Sequence, residues 1–444
     1  MNSCKQKDFF KKVKDYFKKL KKIRTADNGY LHYLSPNSNL GVMILKSILG
    51  SNQGFFSNLI TVIKETLYSL NYINYKISSH KNYLNYKRIV VTWGFENDFK
   101  KDGSFFDRYF KINSRDLQDA LWIVIYKGRN LPENTQKNIF IIKPFEKISF
   151  NFFPILKLIF MNLHFLAKDK YLFFSSISNQ NFFANIFFHE VKKFINEKTS
   201  IVLIAYEGQV FQNKLLGYIS KNFKNMTSIG YVHSPPMAAP YNFIYKESSP
   251  NKIILCGKDQ LYCFVKFLGW RKSKIIFLPS FRFNSFNSEI KNKIFLPLSI
   301  LNKKKVFQSL EILHNKKILN LKKFRVKSHP LVVNTKKNDL VVEHLKRLLK
   351  SLKNQKIKKS KRNSLIFIGI SGAIIEALEN GFNVIHISDD PQLDIFSEKL
   401  WPSLKKKKIY SNIFSYKLTK KQNLIKLGKM SNNLKNINYL SGYR

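Results

Sequence analysis

The chain has 444 residues, 44% of them hydrophobic and 15% aromatic, and 77 Lys plus Arg against 28 Asp plus Glu give a formal net charge of +49. That length exceeds one ordinary core and fits two or three domains, and the apolar content excludes an intrinsically disordered chain. The charge calls for anionic partners, but the lysines fall in scattered runs, Lys303 to Lys305, Lys358 to Lys361 and Lys405 to Lys408, without the interleaved aromatics of RNA-binding modules.

Those runs read as solvated faces, with anionic lipid as the functional alternative and nucleic acid not expected. Lys, Asn, Ile, Phe and Tyr, which share A/T-rich codons, abound together, so part of the charge reflects composition. Three cysteines, Cys4, Cys256 and Cys263, match neither a disulfide framework nor a zinc site, which fits a reducing cytoplasm. The lysine-rich N-terminus has no apolar core of signal-peptide length.

In chain order, residues 5–22 place Phe9, Phe10, Val13, Phe17 and Leu20 at helical spacing between lysines, an amphipathic helix that either lies on a membrane or packs on the body. Leu59 to Leu70 is expected to be helical. From Arg88 the runs RIVVTWGF, ALWIVIY and NIFIIKP are continuous and apolar, as in parallel strands covered on both faces. Phe152 to Ala167, interrupted by Lys157 and His164, falls short of the roughly 18–20 residues of a spanning helix and is either buried or interfacial. SIVLIAYEGQ then leads into a helix over Val210 to Ser220, and TSIGYVHSPP ends in a Pro-rich loop.

A second strand and helix series is expected from Asn251. It runs KIILCG, DQLYCFVKFLGW, KIIFLPSF, IFLPLSI, KKVFQSLEILHN and FRVKSHP, then a helix over 340–353, SLIFIGI, GAIIEALENG and FNVIHIS. The expected organisation is a lysine-rich, mostly helical extension (1–87), an N-terminal Rossmann-like unit (88–250), a C-terminal Rossmann-like unit (251–416) and a terminal helix or tail (417–444). Alternating strands and helices make this an α/β protein with two doubly wound units.

Ligands of open α/β sheets gather at the carboxyl ends of strands, which singles out three turns. In Tyr206-Glu207-Gly208-Gln209 a carboxylate stands at a strand's end and the glycine lets the backbone turn. Glu207 is either a general base or a carboxylate complementing a helix N-terminus. In Lys327-Ser328-His329-Pro330 the histidine is either a donor contact or a plain loop residue. In Ile370-Ser371-Gly372-Ala373 small residues admit a phosphate to a helix N-terminus, or Ser371 simply caps it. His233 and Ser234 follow TSIGYV toward the same cleft as Glu207. A Ser–His nucleophile is disfavoured, since adjacent residues of an extended loop point apart and no G-x-S-x-G elbow is present. No metal motif stands out, and Asp389-Asp390 reads as a turn cap.

Glu207-Gly208, His329-Pro330 and Ser371-Gly372, in this order, resemble the acidic-Gly, His-Pro and Ser motifs of bacterial GT-B sialyltransferases and capsule-type Kdo and polysaccharide transferases. YEGQVFQNKLLGYI, IGYVHSPP and SGAIIEALENGFNVIHI resemble the surface-carbohydrate members of that group, over roughly Arg88 to Ser388. The resemblance implies two Rossmann-like domains of GT-B type, a metal-independent glycosyl transfer, and no cofactor beyond a nucleotide-sugar donor, CMP-linked. It implies Glu207 as base, His329, Pro330, Ser371 and Gly372 at the donor, and Glu376 either at the ribose or exposed. A single acidic residue before the glycine, and Gly372 in place of a second serine, depart from the group's pattern. Partners would be the donor and a glycan or glycolipid acceptor, and the place would be the cytoplasm, peripheral to the membrane. The rival readings are a non-catalytic nucleotide- or glycan-binding subunit of polysaccharide assembly and, from the charge alone, a nucleic-acid binder.

Overall fold

The structure, a computed structural model, describes residues 11–13, 15, 16, 18, 26–32, 34, 35, 38–48, 54–70, 76, 77, 86–128, 130–143, 153–167, 169–284, 292–297, 300, 302–328, 336–353, 364–390, 393–440 and 442. The apolar runs become strands because β-branched and aromatic side chains suit a pleated surface buried on both faces.

The first sheet holds eight strands: β1 (Lys76–Ile77), β2 (Arg88–Gly94), β3 (Ala120–Tyr126), β4 (Ile139–Lys143), β5 (Ile201–Ala205), β6 (Thr227–Tyr231), β7 (Lys252–Leu255) and β8 (Ile275–Phe277), in the order β1-β4-β3-β2-β5-β6-β7-β8. All pairs are parallel except β1 with β4. The second sheet holds β9 (Lys293–Phe295), β10 (Arg325–Lys327), β11 (Ser364–Ile368), β12 (Asn383–Ile387), β13 (Leu404–Tyr410) and β14 (Ile413–Leu418), in the order β10-β9-β11-β12-β14-β13. Its first four strands are parallel and the β13–β14 hairpin is antiparallel. The α/β class with two parallel-sheet units is therefore as expected.

The boundary between the units differs. KIILCG and KIIFLPSF, expected to open the second unit, pair as β7 and β8 at the edge of the first sheet, so the first unit runs past residue 250 to at least Phe277. A short apolar run does not encode its neighbour, and Ile253 and Ile254 fit beside Gly230 and Tyr231 as well as any strand of the second sheet would. Lys76–Ile77, within the mostly helical extension, adds an antiparallel edge strand to β4.

Helices cover both sheets. Phe55–Leu70, Asn179–Val191 and Val210–Asn222 lie on the first unit, and Lys303–Asn315 and Lys336–Ser351 on the second. Strand β11 shows the two-residue period of a sandwiched strand: Leu365 and Phe367 face the large core shared with the first unit, while Ile366 and Ile368 face a separate core under Lys303–Asn315. Of the N-terminal amphipathic segment, Lys11–Val13, Asp15, Tyr16 and Lys18 are helical and Val13 is buried, while its other residues and Lys358 to Lys361 lie outside the described residues. Phe153–Asn162 is helical, but Phe153, Leu156, Phe160 and Met161 are exposed, which overturns the alternative of a buried helix.

The last part of the chain ties the units together. Trp401 is buried and its indole N–H donates to the Met237 carbonyl at 3.1 Å; Asp259 accepts from the Ser403 N–H and hydroxyl at 2.7 and 2.9 Å. The terminal helix Asn433–Leu440 returns to the first unit, where the Asn433 amide donates to the carbonyls of Phe110 and Phe281, each at 3.0 Å. Trp401→Ala removes a buried indole at this junction and is expected to cost about 3–5 kcal/mol, read as a lower denaturant midpoint.

Candidate active site

Chain direction decides where this fold is open. In the first sheet β2, β3 and β4 are laid down to one side and β5 to β8 to the other, so the order reverses between β2 and β5. In the second sheet it reverses between β9 and β11. At such switch points neighbouring crossovers leave in opposite directions and a crevice opens beyond the carboxyl ends. Glu207 follows β5 and Ser371-Gly372 follow β11, so each stands at a switch point.

The Glu207 turn is built from the helix it enters. Gln212, fully buried in the first turn of Val210–Asn222, accepts the N–H of Glu207 at 2.9 Å and of Gln209 at 3.2 Å and donates to the Ala205 carbonyl at 2.8 Å. Asn213 donates to the Gly208 carbonyl and accepts the Tyr206 hydroxyl, both at 2.9 Å. Gly208 has φ +68°, and a Cβ there would lie 2.2 Å from the Asn242 carbonyl oxygen, so the turn admits glycine for two reasons. The Gln209 to Gln212 interval is a capping-box spacing, the one signal from which this scaffold was readable in advance.

The Glu207 carboxylate is partly buried. Its Oε1 lies 3.2 Å from Nε2 of the buried His233, at ion-pair distance without hydrogen-bond alignment, and its side chain is 33% exposed. Burial by itself raises the Glu207 carboxyl, but His233, the charge of Lys127 and the Gln209 amide outweigh it and hold the group below its ordinary value. Burial lowers His233 below the ordinary histidine value, with Arg282 adding to that and Glu207 opposing it. At neutral pH the pair is thus an anion beside a neutral imidazole. Arg282 Nη1 approaches His233 Nδ1 at 3.3 Å, and because a guanidinium only donates, Nδ1 accepts and the imidazole proton sits on Nε2. Tyr109 stacks edge-on to His233 with centroids 4.3 Å apart, and Trp93 lies at 5.8 Å. The Ser234 hydroxyl beside it is buried without a hydrogen-bond partner.

The second unit meets the first beside this loop. Gly372 sits against Pro235 of the loop after His233, close enough that a Cβ would lie 3.4 Å from the proline ring. Gly372, with no side-chain cap, occupies the N-cap of the helix Ala373–Glu379, so Ser371 is not the cap. Glu376 on that helix is half-buried; burial raises its carboxyl, while Arg282 and Lys327 lie near enough to pull it down. His329 and Pro330 fall outside the described residues, beyond the end of β10. Asp389 accepts the Asn302 N–H at 2.8 Å and Asp390 pairs with Lys46 at 3.0 Å, while Asp394 accepts both of their backbone N–H groups. Among the described residues no group of three or more His, Cys, Asp and Glu is placed to hold a metal ion. The structure thus brings Glu207, Gly208, His233, Ser234, Gly372 and Glu376 into one neighbourhood and adds Tyr109, Lys127, Arg282, Gln212 and Asn242, which no motif marked.

The comparisons with known proteins are distant. No protein-family profile and no curated protein matches the chain. Among solved structures it is similar to the wall teichoic acid polymerase TagF, at 12% identity over 79% of each chain with a TM-score of 0.31. It is also similar to a trehalose 6-phosphate synthase from Burkholderia multivorans, at 7% identity over 67% of this chain and 85% of that one, with a TM-score of 0.34. Likenesses at this level carry no argument about the site, and the two-unit α/β fold rests on the strand pairing.

Two variants test the scaffold. Asp107, fully buried, accepts the N–H of Tyr109 at 2.7 Å and so holds the ring against His233, and burial raises its carboxyl to about 6. The folded state therefore keeps a proton that the unfolded chain releases from pH 3.8 upward, and stability falls as pH rises through 3.8 to about 6. Asp107→Asn accepts the same bonds uncharged and is expected to gain about 2–3 kcal/mol at neutral pH, seen as a higher midpoint at pH 7 that converges on the parent near pH 4. Gly208→Val is expected to lower the midpoint by at least about 2 kcal/mol, measured by urea unfolding.

Proposed function

We propose that this chain transfers a sugar from a nucleotide-sugar donor, CMP-linked, to a glycan or glycolipid acceptor in the assembly of a surface polysaccharide such as capsule or lipopolysaccharide, on the cytoplasmic side. The observation that supports the reading is that the small-residue turn after β11 lies beside Pro235, in the loop whose His233 is 3.2 Å from the Glu207 carboxylate after β5. Such a junction suits a donor held by one unit and an acceptor held by the other.

In this reading the ionised Glu207 takes the proton of the acceptor hydroxyl as its oxygen forms a bond to the anomeric carbon. The bond from that carbon to the nucleotide's phosphate oxygen breaks on the opposite face, with inversion, and the nucleotide leaves with the electron pair. In this reading Arg282 and Lys327, whose charges act on Glu376 of the second unit, meet the charge that develops on the leaving phosphate. Ser371, Gly372, His329 and Pro330 hold the donor, Glu376 reaches its ribose, and Ser234 contacts either substrate.

One observation favours the rival binding subunit: the carboxyl of Glu207 is held low, which keeps it ionised but weakens it as a proton acceptor. A single set of measurements separates the two. CMP, CDP, UDP and GDP are compared by melting, where a ligand at about 100 times its dissociation constant adds about 2.7 kcal/mol. Glu207→Gln is expected to bind the preferred nucleotide like the parent and to lose about 10²- to 10⁴-fold in transfer rate, whereas Ser371→Ala and His329→Ala weaken nucleotide binding. Equal turnover by Glu207→Gln removes it as base; a parent that binds nucleotide and never transfers is the binding subunit.

A further inference from the structure

The helix Phe153–Asn162 is turned the wrong way round for a body immersed in water. An amphipathic helix on a soluble domain exposes its polar stripe, yet here the exposed positions are Phe153, Leu156, Lys157, Phe160 and Met161, which share one face at intervals of three and four. Phe160 is 70% and Met161 64% exposed, and Leu163 and Leu166 continue the apolar surface through the next turn. The neighbouring helix Phe55–Leu70 adds Phe56, 76% exposed, and Ile60. Scattered apolar residues on a surface need no explanation, but two adjacent helices that both show them do.

The charges around this surface are mostly positive, with Asp15 and Glu65 of the flanking helices as acidic exceptions. From Phe153 to Ala167 there is no Asp or Glu, and Asp169, which follows, is buried as a helix cap. Lys157 lies within the apolar stripe, where its aliphatic stem can follow the hydrocarbon while the ammonium reaches outward. Lys64 and Lys170 are exposed at the flanks. Tyr16 packs edge-on against Tyr171, with centroids 5.5 Å apart, and so fixes the N-terminal helical segment with its exposed Lys11, Lys12 and Lys18 next to this region. Asp15 on that segment is within 3.9 Å of Lys18. No helix among the described residues is long and apolar enough to cross a membrane.

We infer that the faces of Phe153–Asn162, Leu163–Leu166 and the start of Phe55–Leu70 form a docking surface for an anionic lipid bilayer, with the aromatic and aliphatic side chains entering the interface and the lysines on the phosphate headgroups. Charge complementarity selects this occupant, because an apolar centre with a lysine rim matches acyl chains beneath a negatively charged surface. A second copy of the chain would bring the same lysines face to face. The inference is independent of the transferase reading, since nucleotide binding in the cleft stands whether or not vesicles bind.

The test uses the full chain and sedimentation with vesicles of phosphatidylglycerol and phosphatidylcholine in equal parts, beside vesicles of phosphatidylcholine alone. Phe160→Ser/Met161→Ser changes only exposed side chains and is expected to melt with the parent. The parent is expected to bind the anionic vesicles, to bind pure phosphatidylcholine far more weakly, and to lose at least about tenfold in partitioning in the double variant. Lys157→Gln is expected to lose less than the double variant. Equal binding by parent and double variant would show that lysines alone hold the protein to lipid and would overturn the docking surface, as would no binding by the parent. A parent dimer that becomes monomeric in the double variant, with vesicle binding unchanged, would overturn it in favour of a second copy.

Discussion

A parallel strand cannot be joined to its neighbour by a tight turn. The chain must cross back over the sheet, and the direction of each crossover decides where the surface is left open. Here β2 to β4 wind one way and β5 to β8 the other, and β9 with β10 diverge from β11 with β12. These two reversals put the turns after β5 and β11, which carry Glu207 and Ser371-Gly372, at switch points of their sheets. Trp401, Asp259 and the returning terminal helix then hold the two units so that Gly372 touches Pro235.

Within that geometry the electrostatics are economical. A partly buried carboxylate needs partners or it takes up a proton, and Glu207 has His233, Gln209 and the charge of Lys127. The buried imidazole is kept neutral by its surroundings and by Arg282, so it stays a polar group of fixed tautomer rather than a second charge. Arg282 in turn stands between His233 of one unit and Glu376 of the other. Each group is poised by a neighbour from a different segment, and a ligand that displaces one contact shifts the charge balance of the rest.

The excess of lysine is spread elsewhere. Lys405 to Lys408 lie on β13 at the edge of the second sheet, where alternating exposure and positive charge discourage another strand from pairing. Lys303 to Lys305 begin a helix. Around Phe153–Asn162 positive charge coincides with exposed hydrocarbon.

The sequence by itself determined the class of structure and the chemistry-bearing turns. Continuous apolar runs ending in Glu207-Gly208, in His233-Ser234 and in Ser371-Gly372 required parallel strands with polar ends, because local periodicity and turn chemistry are encoded residue by residue. Gln209 and Gln212 carried the capping spacing that holds the first turn in place. The tertiary structure alone decided which strands are neighbours, so KIILCG and KIIFLPSF joined the first sheet although their pattern fits either. It also decided that Arg282, Tyr109 and Lys127 meet at His233 and Glu207, for contacts between residues far apart in the chain leave no local signature. Whether the apolar stretch after Phe152 faced inward or outward was a tertiary matter as well: its composition measures hydrocarbon, and only the packing of Phe153–Asn162 against its neighbours shows which face remained uncovered.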